Sequence, residues 1–182
     1  MKKVFIPIAE GFEEIEAVSI IDVLRRAGIE VVTAGLKSCQ VKGANGITLS
    51  TDTTLDKIQS SGFDMIILPG GGVGTANLKK DRRVLELLRE FSGANLPVAA
   101  ICAAPTVLAK AGLIDGKKVT CYPGYESELG AGIFSKDRVI VDDGIITSRG
   151  PGTAIEFAIK LAEILVGAET AEQLTEGLIV KI

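Results

Sequence analysis

The chain of 182 residues contains no histidine. That absence removes the Ser-His-Asp and Cys-His pairs of nucleophilic enzymes and any zinc site built on imidazole. Cysteine chemistry here must use another proton acceptor. Cysteine itself is scarce. Cys39, Cys102 and Cys121 are widely spaced and odd in number, which argues against a disulfide framework and fits a reducing compartment. A basic excess is missing too: the net charge is −3 and the pI about 5.2, so there is no electrostatic footprint for nucleic acid. The cluster Lys79, Lys80, Arg82, Arg83 is broken by Asp81 and followed by Glu86 and Glu90, the pattern of a solvated helix face. No window approaches the roughly 18 apolar residues of a membrane span. Glu10 cuts the first apolar run before it reaches the length of a signal peptide's core. These absences predict a soluble cytoplasmic protein, with no membrane or specific nucleic-acid partner and no metal.

Apolar residues, by contrast, are plentiful. Hydrophobic content of 47% and this length predict one domain, 1–182, with a substantial core. Lys3–Ile8, Glu13–Ala27 and Ile29–Ala34 read as strand, helix and strand, with Gly28 closing the helix. Val41 and Ile47–Leu49 read as a small antiparallel excursion around Gly43-Ala44-Asn45-Gly46. Asp64–Pro69 reads as a buried strand, Gly70–Gly74 as a glycine loop and Asp81–Phe91 as an amphipathic helix. Val98–Ile101 is the next strand, followed by a helix that starts at Ala103 and ends near Gly112. Lys117–Cys121 reads as a strand, then Tyr122–Tyr125 as a turn. Val139–Val141 and Gly144–Ser148 form a hairpin, 149–153 a loop, and Ala154–Val166 a helix steadied by Glu156 and Lys160; a short helix closes the chain. No repeat or linker interrupts this order. It predicts a doubly wound α/β fold with helices on both faces of a mainly parallel sheet.

The chain is organised around Leu96–Leu108. Cys102 stands where an apolar strand meets a helix, at the carboxyl edge of the sheet. There the helix dipole favours thiolate, and free N–H groups of the first turn suit a developing oxyanion. A buried core cysteine is the plainer alternative. The glycine loop could hold phosphate. However, Asn77 stands where a dinucleotide fingerprint needs a small residue, so a backbone N–H lent to an oxyanion fits better. Of Glu13, Glu14 and Glu16, two cap or solvate the first helix. Glu16, next to apolar Ile15 and Ala17, is placed to turn inward; buried near a thiol it would hold its proton and donate a hydrogen bond to sulfur.

Five stretches carry a family likeness: Gly11-Phe-Glu-Glu-Ile-Glu16-Ala, Leu68-Pro-Gly-Gly71, Ala99-Ala-Ile-Cys102-Ala-Ala-Pro105-Thr, Val119-Thr-Cys-Tyr-Pro123 and Ser148-Arg-Gly-Pro-Gly-Thr153. In order and with similar spacing from Lys3 to about Gly167, they resemble the ThiJ/PfpI superfamily, close to its parkinsonism-associated (DJ-one) deglycase/glyoxalase clade. The resemblance implies a flavodoxin-like sandwich and a homodimer. It implies that Cys102 is the reactive, oxidisable cysteine, that Glu16 contacts its sulfur, and that Gly71 and Ala103 supply N–H donors. Gly70 and Tyr122 are expected to line the substrate pocket. One departure stands out: many members carry histidine where this chain has Tyr122, which counts against a Cys-His peptidase.

Two functions follow from that resemblance. The first is a cofactor-independent glyoxalase or deglycase acting on 2-oxoaldehydes such as methylglyoxal and glyoxal, and on early glycation adducts. The alternative is a redox-sensing, chaperone-like protective protein working through oxidation of Cys102.

Overall fold

A computed structural model describes residues 1–181. β1 (Lys3–Ile8), α1 (Glu14–Arg26) and β2 (Glu30–Gly35) open the chain as a parallel βαβ unit. β3 (Gln40–Lys42) and β4 (Thr48–Ser50) pair antiparallel as a separate small sheet. β5 (Thr53–Thr54), β6 (Met65–Leu68), α2 (Gly72–Lys80), α3 (Arg82–Gly93), β7 (Val98–Ile101) and α4 (Pro105–Ala111) follow. β8 (Lys118–Val119), β9 (Ile133–Phe134), β10 (Val139–Asp142), β11 (Ile145–Ser148), α5 (Ala154–Val166) and α6 (Ala168–Gly177) complete it.

The main sheet has seven strands in the order β10-β11-β7-β6-β1-β2-β5, and only β10 runs antiparallel to its neighbour. Parallel strands are covered on both faces, which is why these segments read as unbroken apolar runs. Alternation within β1 divides the core. Val4, Ile6 and Ile8 join Ile20, Leu24, Phe157 and Leu161 on the side of α1 and α5. Phe5 points the other way, with Leu78, Leu88, Phe91 and Leu108 under α2, α3 and α4. From β1 the chain winds outward to β2, then crosses back to β6 and continues to β7. The crevice where α/β sheets bind ligands therefore opens beyond the carboxyl ends of β1 and β6, beside β7.

Four local expectations are corrected. Residues 72–74 are not open loop but the first turn of α2. Glycine weighs against a helix, but Gly74 donates to the Gly11 carbonyl at 3.0 Å and a Cβ there would fall 2.8 Å from Phe12 Cα. Tertiary packing overrides propensity. Ala103 and Ala104 form a turn, and α4 starts at Pro105, whose missing N–H is harmless in that first position. The strand expected at Lys117–Cys121 shrinks to β8 and pairs with β9, which is too short to show a period. On α5, Lys160 pairs with Glu163, while Glu156 is held by Arg138 at 2.6 Å. The β10–β11 hairpin turns at Asp143 and Gly144, both at positive φ, as a two-residue turn demands.

Candidate active site

Cys102 follows the last residue of β7 and adopts φ 66°, one of few non-glycine residues in the left-handed region. Such a conformation costs free energy and clusters at functional sites. It is held from both sides. The Cys102 N–H donates to the Ser148 carbonyl (2.9 Å), and the Cys102 carbonyl accepts from Tyr122 N–H (2.8 Å). The turn that follows is closed by the Ala104 N–H on the Ile101 carbonyl (3.0 Å) and by the Thr106 hydroxyl on the Ala103 carbonyl (2.8 Å). The chain thus leaves the strand sharply, and the side chain remains at the sheet edge with 7% exposure.

Glu16 reaches the same point from α1. Glu13 caps that helix by accepting the Glu16 N–H at 2.7 Å. One helical step on, Glu16 is fully buried. Its Oε2 accepts the Gly70 N–H at 2.8 Å, while Oε1 is buried with no N–H or O–H partner. The carboxyl and the Cys102 thiol are hydrogen-bonding neighbours. Gly70 makes the approach possible, because a Cβ there would fall 2.6 Å from both Cys102 Cβ and Glu16 Oε2. Gly71, at φ 92°, leaves equally little room: a Cβ would lie 2.7 Å from the Glu13 nitrogen. The Gly71 and Ala103 N–H groups both face the Cys102 sulfur. Cys102, Glu16, Gly70, Gly71 and Ala103, read from separate parts of the sequence, therefore converge.

This arrangement can be set beside known proteins. Residues 2–164 match the DJ-1/PfpI family. The chain belongs to that family. It is 43% identical over 182 residues to Protein dj-1beta of Drosophila melanogaster, covering 98% of this chain and 97% of that one. It is 38% identical over 171 residues to the glutathione-independent glyoxalase DJR-1.2 of Caenorhabditis elegans, covering 93% and 91%. The structure of oxidized Toxoplasma gondii DJ-1 superposes with a TM-score of 0.96 at 37% identity, covering 100% of each chain. The flavodoxin-like fold of the DJ-1/PfpI family is thus the fold of this chain.

Burial pushes the Glu16 carboxyl up to about 7, against the hydrogen bonds from Cys102 and the Gly70 N–H that pull it down. The thiol is pushed up to about 12, first by burial, then by the Glu16 charge and its hydrogen bond. The Gly71 and Ala103 N–H groups pull the other way. This corrects the expectation that a helix dipole favours thiolate. α4 begins only at Pro105, and burial beside a carboxylate outweighs it. The two groups titrate as a unit. Above about pH 7 the pair holds one negative charge and one proton. When that proton sits on Glu16, the repulsion on sulfur vanishes and the two N–H donors favour thiolate.

Other candidates scatter. Tyr122, expected in the pocket, is 45% exposed, and its ring packs on the 149–153 loop: a Cβ on Gly150 would lie 2.9 Å from Tyr122 Cδ2. Cys121 is buried in the opposite core layer from Cys102, its thiol pushed up to about 11 by burial. The Arg149 guanidinium stacks 5.8 Å from the centre of the Phe134 ring. Glu14, read as a solvated cap, is buried and accepts from Asn45 N–H (2.7 Å), Asn45 Nδ2 (2.9 Å) and Ile47 N–H (3.3 Å). Tyr125, in the same turn as Tyr122, is half-buried with its hydroxyl against the start of α2 at Gly72; nothing in spacing separates it from Tyr122. Among the described residues no cluster of three His, Cys, Asp or Glu side chains is placed to hold a metal ion. Among the same residues no helix is long and apolar enough to cross a membrane.

Proposed function

We propose that the protein is a cysteine-dependent, cofactor-independent glyoxalase of the deglycase type, converting 2-oxoaldehydes such as methylglyoxal and glyoxal to hydroxy acids. One observation carries the reading: a buried thiol and a buried carboxyl are hydrogen-bonding neighbours beside two backbone N–H donors. The name of the C. elegans relative supports it.

The residues suggest the following sequence. Thiolate at Cys102 adds to the aldehyde carbon, forming a C–S bond. The oxygen charge is held by the Gly71 and Ala103 N–H groups and takes the proton from Glu16. The Glu16 carboxylate then removes the hydrogen from that carbon, and the electrons pass into an enediolate. Glu16 returns the proton to the neighbouring carbon, while the hydroxyl proton moves to the second oxygen. The result is a thioester of the hydroxy acid, which water cleaves to free thiol and product. One water is consumed and no oxidant is needed. Early glycation adducts, carbinolamines and hemithioacetals, first release their amine or thiol to give back the free 2-oxoaldehyde, which then forms the same hemithioacetal with Cys102.

The test is lactate formed from methylglyoxal without glutathione or metal. Wild type should turn over; Cys102→Ser should not, and Glu16→Gln should lose at least a hundredfold in kcat, the scale of a general acid–base contribution. Turnover that survives Cys102→Ser overturns the reading.

The second reading, a redox-sensing protective role, is favoured by the buried Glu16 carboxyl next to the Cys102 thiol: raised to about 7, it keeps its proton beside a sulfinate and can donate it in a hydrogen bond to a sulfinate oxygen. Mild peroxide should add two oxygens at Cys102 alone, seen by intact mass and lost in Cys102→Ser. Oxidation spread over Cys39 and Cys121 counts against it.

A further inference from the structure

The segment 122–129 is tied to the Cys102 backbone at one end and to α2 at the other. Tyr122 N–H donates to the Cys102 carbonyl, and Tyr125 N–H to the Tyr122 carbonyl at 3.2 Å. Gly124, at φ 97°, turns the chain, and its N–H is held by Glu126 Oε2 at 2.7 Å. Glu128 donates its N–H to the Tyr125 carbonyl (3.0 Å) and pairs with Lys79 on α2 at 2.6 Å. These contacts brace the segment against α2 and fix where its aromatic side chains go.

They go apart. The Tyr122 ring turns away onto Gly150. Tyr125 is half-buried and packs against both core layers, including the one that contains Phe12, Cys102 and Ala103. Its hydroxyl reaches the first residue of α2: a Cβ on Gly72 would lie 3.2 Å from Tyr125 Oη. Gly72 directly follows Gly71, whose N–H faces the sulfur. Glycine at 72 leaves open the space that the phenol enters. Among the described residues the Tyr125 hydroxyl makes no hydrogen bond, and it is not one of the buried unsatisfied groups, so its O–H stays open to solvent and free to meet a ligand.

We infer that Tyr125, not Tyr122, is the substrate-positioning hydroxyl of this site, donating its O–H to the second carbonyl oxygen of a 2-oxoaldehyde held on Cys102. The inference rests on the glyoxalase reading and specifies how the substrate is gripped. Cys102 and the two N–H groups engage the aldehyde carbon and its oxygen. A 2-oxoaldehyde carries a second oxygen one carbon away, and the negative charge of the enediolate develops there. A neutral phenol donor at that oxygen stabilises the charge without taking part in the proton balance on Glu16. It also selects for 2-oxoaldehydes over simple aldehydes, which lack that acceptor.

The test compares wild type, Tyr125→Phe and Tyr122→Phe by two measurements. One is steady-state turnover of methylglyoxal. The other is the rate of Cys102 alkylation by iodoacetamide, with and without methylglyoxal, whose protection gives the affinity of the hemithioacetal independently of turnover. Tyr125→Phe should lower kcat/KM about tenfold, the scale of one lost hydrogen bond, and weaken protection by several-fold. Its alkylation rate without methylglyoxal should stay within twofold of wild type. Tyr122→Phe should change none of these. Equal turnover and protection in wild type and Tyr125→Phe overturn the inference while leaving the glyoxalase reading intact. So does a Tyr125→Phe alkylation rate that falls as far as turnover, since the tyrosine then only props the site. If wild type binds methylglyoxal without converting it, weaker protection in Tyr125→Phe upholds the positioning role while the glyoxalase reading fails.

Discussion

Glu16 has two roles that conflict. Its proton is held more tightly in the folded chain, with the value moved from 4.5 to about 7 by burial. Below about pH 4.5 the carboxyl is neutral in both states and burial costs little. As pH rises through 7 the folded state must give that proton up, and the contribution to stability is lost, on the order of 3 kcal/mol for a shift of this size. Glu16→Gln should therefore be more stable than wild type at pH 8, by up to about 3 kcal/mol in urea unfolding, with the difference shrinking towards pH 5. An equal difference at both pH values would show that the carboxyl is not strained by burial. The same titration shapes activity. The neutral pair has no nucleophile, so kcat/KM should rise through about pH 7 and then level off. In Glu16→Gln any residual activity should begin to rise only at higher pH, because the thiol must then ionise alone. Gly70 binds both partners at this scale. Gly70→Ala pushes a methyl into Cys102 Cβ and Glu16 Oε2, and should cut turnover at least a hundredfold while far-ultraviolet circular dichroism remains that of a folded chain.

At the scale of elements, α1 serves two ends. Its inward face brings Glu16 to the sheet edge, and its first residue, Glu14, holds the β3–β4 hairpin through the Asn45 and Ile47 amides. The hydrogen bonds hold the Glu14 carboxyl below its ordinary value against the opposing effect of burial. A Cβ on Gly43 would strike the Glu14 carboxyl, which is why the turn carries glycine there. Glu14→Ala strips charged acceptors from these amides, and should cost about 2 kcal/mol and speed hydrogen exchange at Asn45 and Ile47. Unchanged exchange at both amides would mean that the hairpin stands without α1. The neighbouring α2 shows the opposite balance: a glycine-rich first turn becomes helical because it is packed against 11–12 and capped by the strand end.

For the whole molecule, the crevice at β1, β6 and β7 gathers groups from residues 16, 70, 71, 102 and 103. The seven-stranded scaffold fixes their spacing. Apolar side chains remain uncovered on its surface: Ile15 and Val18 lie on the outer face of α1, with Ile47 at the hairpin that Glu14 holds. They suit the homodimer that the family resemblance implies. Sedimentation at micromolar concentration should give twice the chain mass of 19.0 kDa, and a charge at Val18 (Val18→Glu) should shift it towards the single chain. A 19.0 kDa species in wild type would set that assembly aside.

Much of this was legible in the sequence because it is encoded locally. Apolar runs with period two or none and Gly28 after α1 mark strands and a helix end through backbone preferences that need no partner. The order of those elements dictates a doubly wound sheet, and its carboxyl edge places Cys102. Glu16 was readable as an inward carboxyl from its apolar neighbours. What needed the tertiary structure were the choices made by contact between distant segments. α2 forms against its glycines because the 9–13 loop packs on it, and Glu14 is buried because a hairpin thirty residues on (Asn45, |i−j| of 31) docks there. The thiol is raised rather than lowered because burial and Glu16 outweigh a short helix that starts too late. Tyr122 and Tyr125 look alike in sequence, and only the bracing of their segment by Cys102, Glu126 and Lys79 sends one onto Gly150 and the other against Gly72 at the start of α2.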